Sequence, residues 1–176
     1  MHTRTRTEHL PVTVESPCTA PPNHTFSVIA PIELPQIFKA WGPLPGVTGV
    51  SGQNGAWDQA GRSRVVRFTD GGTARESLVE YTPPHSFAYE ITEFTNTLRH
   101  AVQSIRGEWT ITPNGRHSTV RWTYGFRPVP RRAWLLRTTV VPLWRRYAHR
   151  ALALAVHAAE TPQPPRPTND GAQILR

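Results

Sequence analysis

The period of the hydrophobic positions changes along this chain, and the changes mark its elements. In STVRWTYGF, residues 118–126, Val120, Trp122, Tyr124 and Phe126 alternate with Thr119, Arg121, Thr123 and Gly125, the two-residue period of a strand with one buried face. The same alternation runs through RSRVVRF (62–68) and ARESLVEY (74–81), joined by TDGGT, and predicts a hairpin. It recurs in SFAYEITEF (86–94) and RHAVQSIRGEWTI (99–111), with a break at 95–98 and a turn at TPNGRH. HTFSVIA (24–30) sets Phe26 and Val28 against polar neighbours and reads as a first strand ended by Pro31. Elsewhere the period lengthens. Ile37, Phe38 and Trp41 follow Pro35 at helical spacing and predict one short helix stopped by Gly42 and Pro43, with a further turn near 44–48 and a glycine-spotted link after it. Val140, Trp144, Tyr147, Ala151, Leu154 and Ala158 predict a long helix over about 131–159. Pro142 lies inside that helix, where a missing donor and a crowded preceding turn predict a kink or two abutting helices.

This order predicts an α+β domain over residues 22–160, with about six sequentially joined, hence antiparallel, strands and a long carboxy-terminal helix. Alternation assigns an inner face to each strand: Arg64, Val66 and Phe68; Glu76 and Leu78; Phe87, Tyr89, Ile91 and Glu93; Gln103, Ile105, Trp109 and Ile111; and Val120, Trp122, Tyr124 and Phe126. A bulge flips any such assignment.

At 176 residues the chain is long enough for one domain with its own core. Residues 1–21 and 161–176 are polar, carry proline and show little periodicity, so both are expected to be mobile tails. The single cysteine, Cys18, falls in the first, which rules out an internal disulfide and fits a cytoplasmic location. No stretch reaches the roughly 18–20 apolar residues of a membrane span. The net charge of +8 raises nucleic acid as a partner. Between the two tails 16 basic and 9 acidic residues remain, so the excess belongs to the domain. Only Lys39 among those basic residues is a lysine, and an arginine-, proline- and alanine-rich composition also reflects base composition. The row Arg145, Arg146, Arg150 reads as a solvated helix face, with nucleic acid or an anionic membrane surface as the alternative.

Several chemistries lack their parts. The eight histidines form no HExxH and there is no cysteine pair, so no metal is expected. There is no P-loop; DGGT is a hairpin turn without a following helix. No GxSxG occurs, and Cys18 is in a tail, so a nucleophilic hydrolase has no centre.

The strings PGVTGV, WDQAGRSRVVRFTDGGTARE, YTPPHSFAYEI, and GEWTITP followed by STVRWTYGF resemble the SRPBCC superfamily, the START and pollen-allergen-like group, and within it the polyketide cyclase and dehydrase branch. The likeness covers about residues 24–158 and rests on strand order, the double proline Pro83–Pro84 and the final helix. It implies a helix-grip fold, in which a strongly curved sheet wraps the last helix and leaves a hydrophobic pocket between them. It also implies an apolar small-molecule ligand, polyketide-like or lipid-like, a cofactor-free cyclisation or dehydration, and as an alternative a non-catalytic carrier or sensor.

Within such a pocket the chemistry-bearing candidates are few. Arg64 and Glu76 face inward from paired strands, where an unpaired charge is costly. They form either a structural ion pair fixing hairpin register or a catalytic pair, with Arg64 orienting a ligand carbonyl and Glu76, or Glu93, acting as acid or base. Tyr89, Glu93, Gln103 and Tyr124 are candidates to orient a ligand, and Tyr147 of the long helix is a further ligand-binding candidate. Trp57, Trp109, Trp122 and Trp144 are candidates to line its walls, with core filling as the plainer role. His100 reads as a solvated edge residue or a proton carrier at the pocket mouth.

Overall fold

The computed structural model describes residues 9–161. Its elements run β1 (Leu10–Cys18), α1 (Pro22–Ile29), α2 (Leu34–Ile37), β2 (Val47–Ser51), β3 (Ser63–Phe68), β4 (Thr73–Thr82), β5 (Ser86–Thr92), a 3-10 turn (Thr97–His100), β6 (Val102–Asn114), β7 (His117–Pro128), α3 (Ala133–Leu135), a π-helical turn (Leu136–Val140) and α4 (Val141–Glu160). The strands form one antiparallel sheet in the order β1-β7-β6-β5-β4-β3-β2, open at β1 and β2. The long helix lies across one face, packed on β1, α1 and α2. This is the α+β helix-grip arrangement that the sequence predicts, with seven strands rather than about six.

The additional strands arise where the pattern is weakest. Residues 10–18 are not a tail. Leu10, Val12 and Val14 are buried and alternate with exposed Pro11, Thr13 and Glu15, and β1 pairs with β7 along its length, from Leu10 opposite Phe126 to Cys18 opposite Ser118. Cys18 is accordingly buried, beside the Thr25 hydroxyl. Residues 1–8 and 162–176, the rest of the expected tails apart from His9, the junction at 19–21 and Thr161, lie outside the described residues. β2 occupies the expected turn and glycine-spotted link; its pairing with β3 is irregular between Val47 and Gly49.

The expected first strand at 24–30 is instead α1. Pro22 in its first turn suits a helix start, where no donor is needed. Thr25, Phe26, Val28 and Ile29 turn inward at helical spacing. Phe26 and Val28 alone fit the strand period; the helical face is completed by Thr25 and Ile29, which stand three and four residues from their buried neighbours. The predicted interruption at Pro142 takes a specific form. Pro142 stands in the first turn of α4, and the backbone before it widens into the π turn, so the helix continues rather than breaking. Leu136 within that turn is fully buried.

Packing on the inner face is dense and aromatic. Trp122, at 0% exposure, stacks on Trp109 at 4.7 Å, and Trp109 stacks on Phe87 at 6.0 Å. α4 brings small residues, Ala148, Ala151, Ala155 and Ala159, to its buried stripe together with Leu152 and Val156, while Leu154, one position off that stripe, is exposed. Small side chains let the helix lie close to β1 and α1, so what separates helix from sheet further along is an opening rather than packed side chains. No helix of the described residues is long and apolar enough to cross a membrane.

Candidate ligand-binding site

That opening is a cavity of about 390 Å³. Its floor is the inner face of β3 to β7, its wall the π turn and the start of α4, and its rim α2 and the segments at 43–47, 68–70 and 94–101. Most of the lining is apolar, including Phe38, Val66, Ile91, Ile105, Phe126 and Leu143. The polar groups reaching its interior are Glu76, Tyr89 and Tyr124 from the sheet and Trp144 and Tyr147 from α4.

Glu76 is placed by the β3–β4 hairpin, whose register sets Arg64 directly opposite it. Arg64 Nε donates to Glu76 Oε2 at 2.5 Å, with side-chain exposures of 8% and 3%. Behind the pair, the Arg64 guanidinium lies 3.9 Å over the Trp57 ring. Arg64 does not line the main cavity; it faces a small hollow of about 20 Å³ shared with Trp57 and Trp109. Glu76 lines both spaces, and among the described residues only its Oε2 accepts a hydrogen bond. Burial pushes its pKa above the ordinary 4.5 more strongly than the Arg64 charge and hydrogen bond pull it down.

Tyr89 comes from β5, opposite Gly107 of β6. A Cβ on residue 107 would stand 2.3 Å from the Tyr89 ring, so the glycine is what lets that ring lie across β6 toward the cavity. The Tyr89 hydroxyl accepts from Trp122 Nε1 at 3.2 Å, which leaves its own proton to be donated. Burial, then the nearby Glu76 charge, raises its pKa and keeps that proton on. Tyr124 is edge-on to Tyr89 at 6.5 Å and stacked on Trp144 at 4.4 Å, and burial also raises its pKa. Burial pushes Tyr147 up to about 12. The Tyr147 hydroxyl and Trp144 Nε1 are buried and make no hydrogen bond among the described residues. The result is one buried carboxyl and three protonated phenols around a largely apolar space.

The structure thus brings Glu76, Tyr89, Tyr124, Trp144 and Tyr147 together at the cavity and separates the remaining candidates from it. Trp57, Trp109 and Trp122 are buried but do not line the cavity; Trp57 packs against Arg64 and Trp122 donates to Tyr89. Gln103 is exposed: the β6–β7 register shifts between Val102 and Ser104, and this bulge turns residue 103 outward. Glu93 is also exposed. It follows the end of β5 with a left-handed φ of 55° and pairs on the surface with Arg75 at 3.0 Å. His100 is exposed, and its carbonyl accepts from Arg132. The alternation did not reveal the rim, because Phe38, Phe94 and Leu98 belong to no strand, though each is an apolar residue in a short irregular stretch. Among the described residues no group of His, Cys, Asp or Glu is arranged to hold a metal ion.

A helix-grip sheet with an apolar cavity against its last helix defines a class of hydrophobic-ligand-binding folds. Within that class the chain belongs to the polyketide cyclase/dehydrase and lipid transport family, whose model matches residues 9–160. That match includes β1. No curated protein matches by sequence. Among similar solved structures, Ara h 8.0201 superposes with a TM-score of 0.66 at 12% identity, covering 88% of this chain and 100% of its own. The major latex-like protein 151 of Panax ginseng gives 0.60 at 15% identity, covering 86% and 95%. A point mutant of Thalictrum flavum norcoclaurine synthase, in complex with a transition-state analogue, gives 0.57 at 15% identity, covering 88% and 98%. Identities this low establish the shared fold alone.

Proposed function

We propose that the protein binds an apolar, polyketide-like or lipid-like small molecule in the cavity and moves a proton on it through Glu76, in a cofactor-free cyclisation or dehydration. One observation carries this reading: a carboxyl only 3% exposed lines a largely apolar space, with one oxygen held by Arg64 and the other accepting no hydrogen bond among the described residues. Burial of that kind costs several kcal/mol unless the charge is paired, and by raising the pKa it makes the carboxylate a stronger base. Family membership supports the hydrophobic ligand.

The chemistry follows from the groups present. As carboxylate, Glu76 takes a proton from a carbon beside a ligand carbonyl, and the resulting enolate oxygen receives a hydrogen bond from the Tyr89 or Tyr124 hydroxyl. In a dehydration, Glu76 then returns the proton to a departing hydroxyl, which leaves as water. In a cyclisation, the enolate carbon attacks a second carbonyl of the same molecule and the new alkoxide takes the proton. The apolar walls favour a folded ligand whose reacting atoms are adjacent. Arg64, one layer behind, is a positioning residue: it fixes the Glu76 rotamer and moderates its basicity.

The carrier reading is favoured by a different observation. Arg64, stacked on Trp57, is the direct cross-strand neighbour of Glu76, which suffices to explain them as a register-fixing pair. Native mass spectrometry of protein purified from its own host, followed by extraction of the bound molecule, supplies the ligand. Glu76→Gln then separates the readings. Turnover lowered by about 10²–10⁴-fold with the ligand retained supports proton transfer. Unchanged ligand retention with no turnover in either protein leaves the carrier.

A further inference from the structure

Between Arg127 and Arg150 the sequence has seven arginines and no carboxylate, so this segment carries +7 in a chain whose net charge is +8. The same segment holds Trp134, 65% exposed, the most exposed large apolar side chain among the described residues. Trp134, Arg137, Thr138, Pro142, Arg145 and Arg146 are all exposed. Their spacing of three to four residues, with the π turn absorbing one more, sets them along one outward stripe of the helix. Arg145 and Arg146 take part in none of the ion pairs of the described residues. On the opposite side of the same helix, Val140, Leu143 and Tyr147 line the cavity, and exposed Thr139 stands at its rim. Asp70, the carboxylate on the rim, is held by the Gly72 amide and by Asn96.

We propose that this stripe docks on the surface of an anionic lipid bilayer, with Trp134 in the headgroup layer and Arg145 and Arg146 on lipid phosphates. A cationic helix face with an exposed indole suits such an interface, because the ring has an apolar body and one polar N–H. Nucleic acid also attracts arginine, but a basic groove for a polyanion gains nothing from a neighbouring apolar opening. A membrane does, since it is where an apolar ligand resides. The proposal depends on the ligand-binding reading only for this last point; the charge and the exposed indole stand apart from Glu76.

The experiment is flotation of the whole protein with vesicles of phosphatidylcholine, pure or mixed with phosphatidylglycerol. The protein is expected to float with the mixed vesicles, to stay in solution with pure phosphatidylcholine, and to be released by high salt. Trp134→Ser and the double variant Arg145→Glu, Arg146→Glu should each weaken partitioning by about tenfold or more. Arg67→Glu with Arg116→Glu, an equal charge change at exposed positions elsewhere, should leave it within about twofold. Unaltered thermal midpoints confirm that all variants fold. No flotation with mixed vesicles overturns the proposal, as does an equal loss in the two arginine variants. Displacement of the protein from vesicles by a duplex oligonucleotide at the same salt overturns it in favour of nucleic acid. Glu76→Gln floats like the unmodified protein whichever reading of the cavity holds, so the two ideas fail separately.

Discussion

Glu76 is pulled two ways, and its neighbours decide the balance. Burial raises its pKa and Arg64 lowers it, with burial the larger influence. A carboxyl whose folded-state value lies above the unfolded one favours folding fully below about 4.5, and that contribution is lost as pH rises through the raised value. Denaturant titrations from pH 4 to 8, about the range over which a buried carboxyl titrates, should therefore show the unmodified protein losing stability relative to Glu76→Gln as pH increases; a relative gain contradicts the burial argument. Arg64→Met removes the one influence that lowers the value, so the rising limb of any Glu76-dependent activity should move to higher pH. The same substitution leaves a buried carboxyl without a partner and should cost about 3–5 kcal/mol, whereas Arg64→Met with Glu76→Leu should be near neutral. Comparing their denaturation midpoints measures the pair directly. The pair itself was legible in the sequence, as two charges on the inner face of one hairpin. That Arg64 stands behind Glu76 rather than beside the ligand was not, because alternation fixes a face and not a depth.

Strand pairing decides how Tyr89 reaches the cavity. Gly107 lies opposite it, and any larger residue meets the ring. Gly107→Ala should cost about 1–3 kcal/mol through overpacking and detach the Tyr89 hydroxyl from Trp122, readable as a lower thermal midpoint and altered tryptophan fluorescence. Hairpins were legible where alternation ran five residues or more between clear turns, as in β3, β4 and β7. Register was not: one bulge between Val102 and Ser104 moved Gln103 from inner face to solvent, and a left-handed residue after β5 did the same for Glu93. α1 was misread because Phe26 and Val28 alone fit a period of two. The rim escaped notice for another reason, since its residues come from short irregular segments whose positions are set by the tertiary fold.

For the molecule as a whole, the decisive element is the one that looked dispensable. β1 supplies Leu10, Val12 and Val14 to the core and a platform for α4. Two prolines and several polar residues disguised it as a tail. Removing residues 1–18 strips four buried side chains, Leu10, Val12, Val14 and Cys18, the three aliphatic ones each worth about 1.5–3 kcal/mol, and uncovers one edge of β7. The truncated chain should lack a cooperative thermal transition, whereas a truncation ending before Leu10 should keep one.

The two open edges of the sheet also bear on how the protein behaves in a crowded solution. An unpaired strand edge is a template on which other chains can add. In β1, Pro11 and Pro17 share one parity, and proline is tolerated within a strand where its missing N–H faces outward, so two of the donors an incoming strand needs are gone. At the other border β2 has five residues, an irregular register and a glycine at its centre. Neither border offers a long, regular row of hydrogen-bonding groups. The fold can therefore leave its sheet unclosed, as the cavity requires, without inviting polymerisation along it.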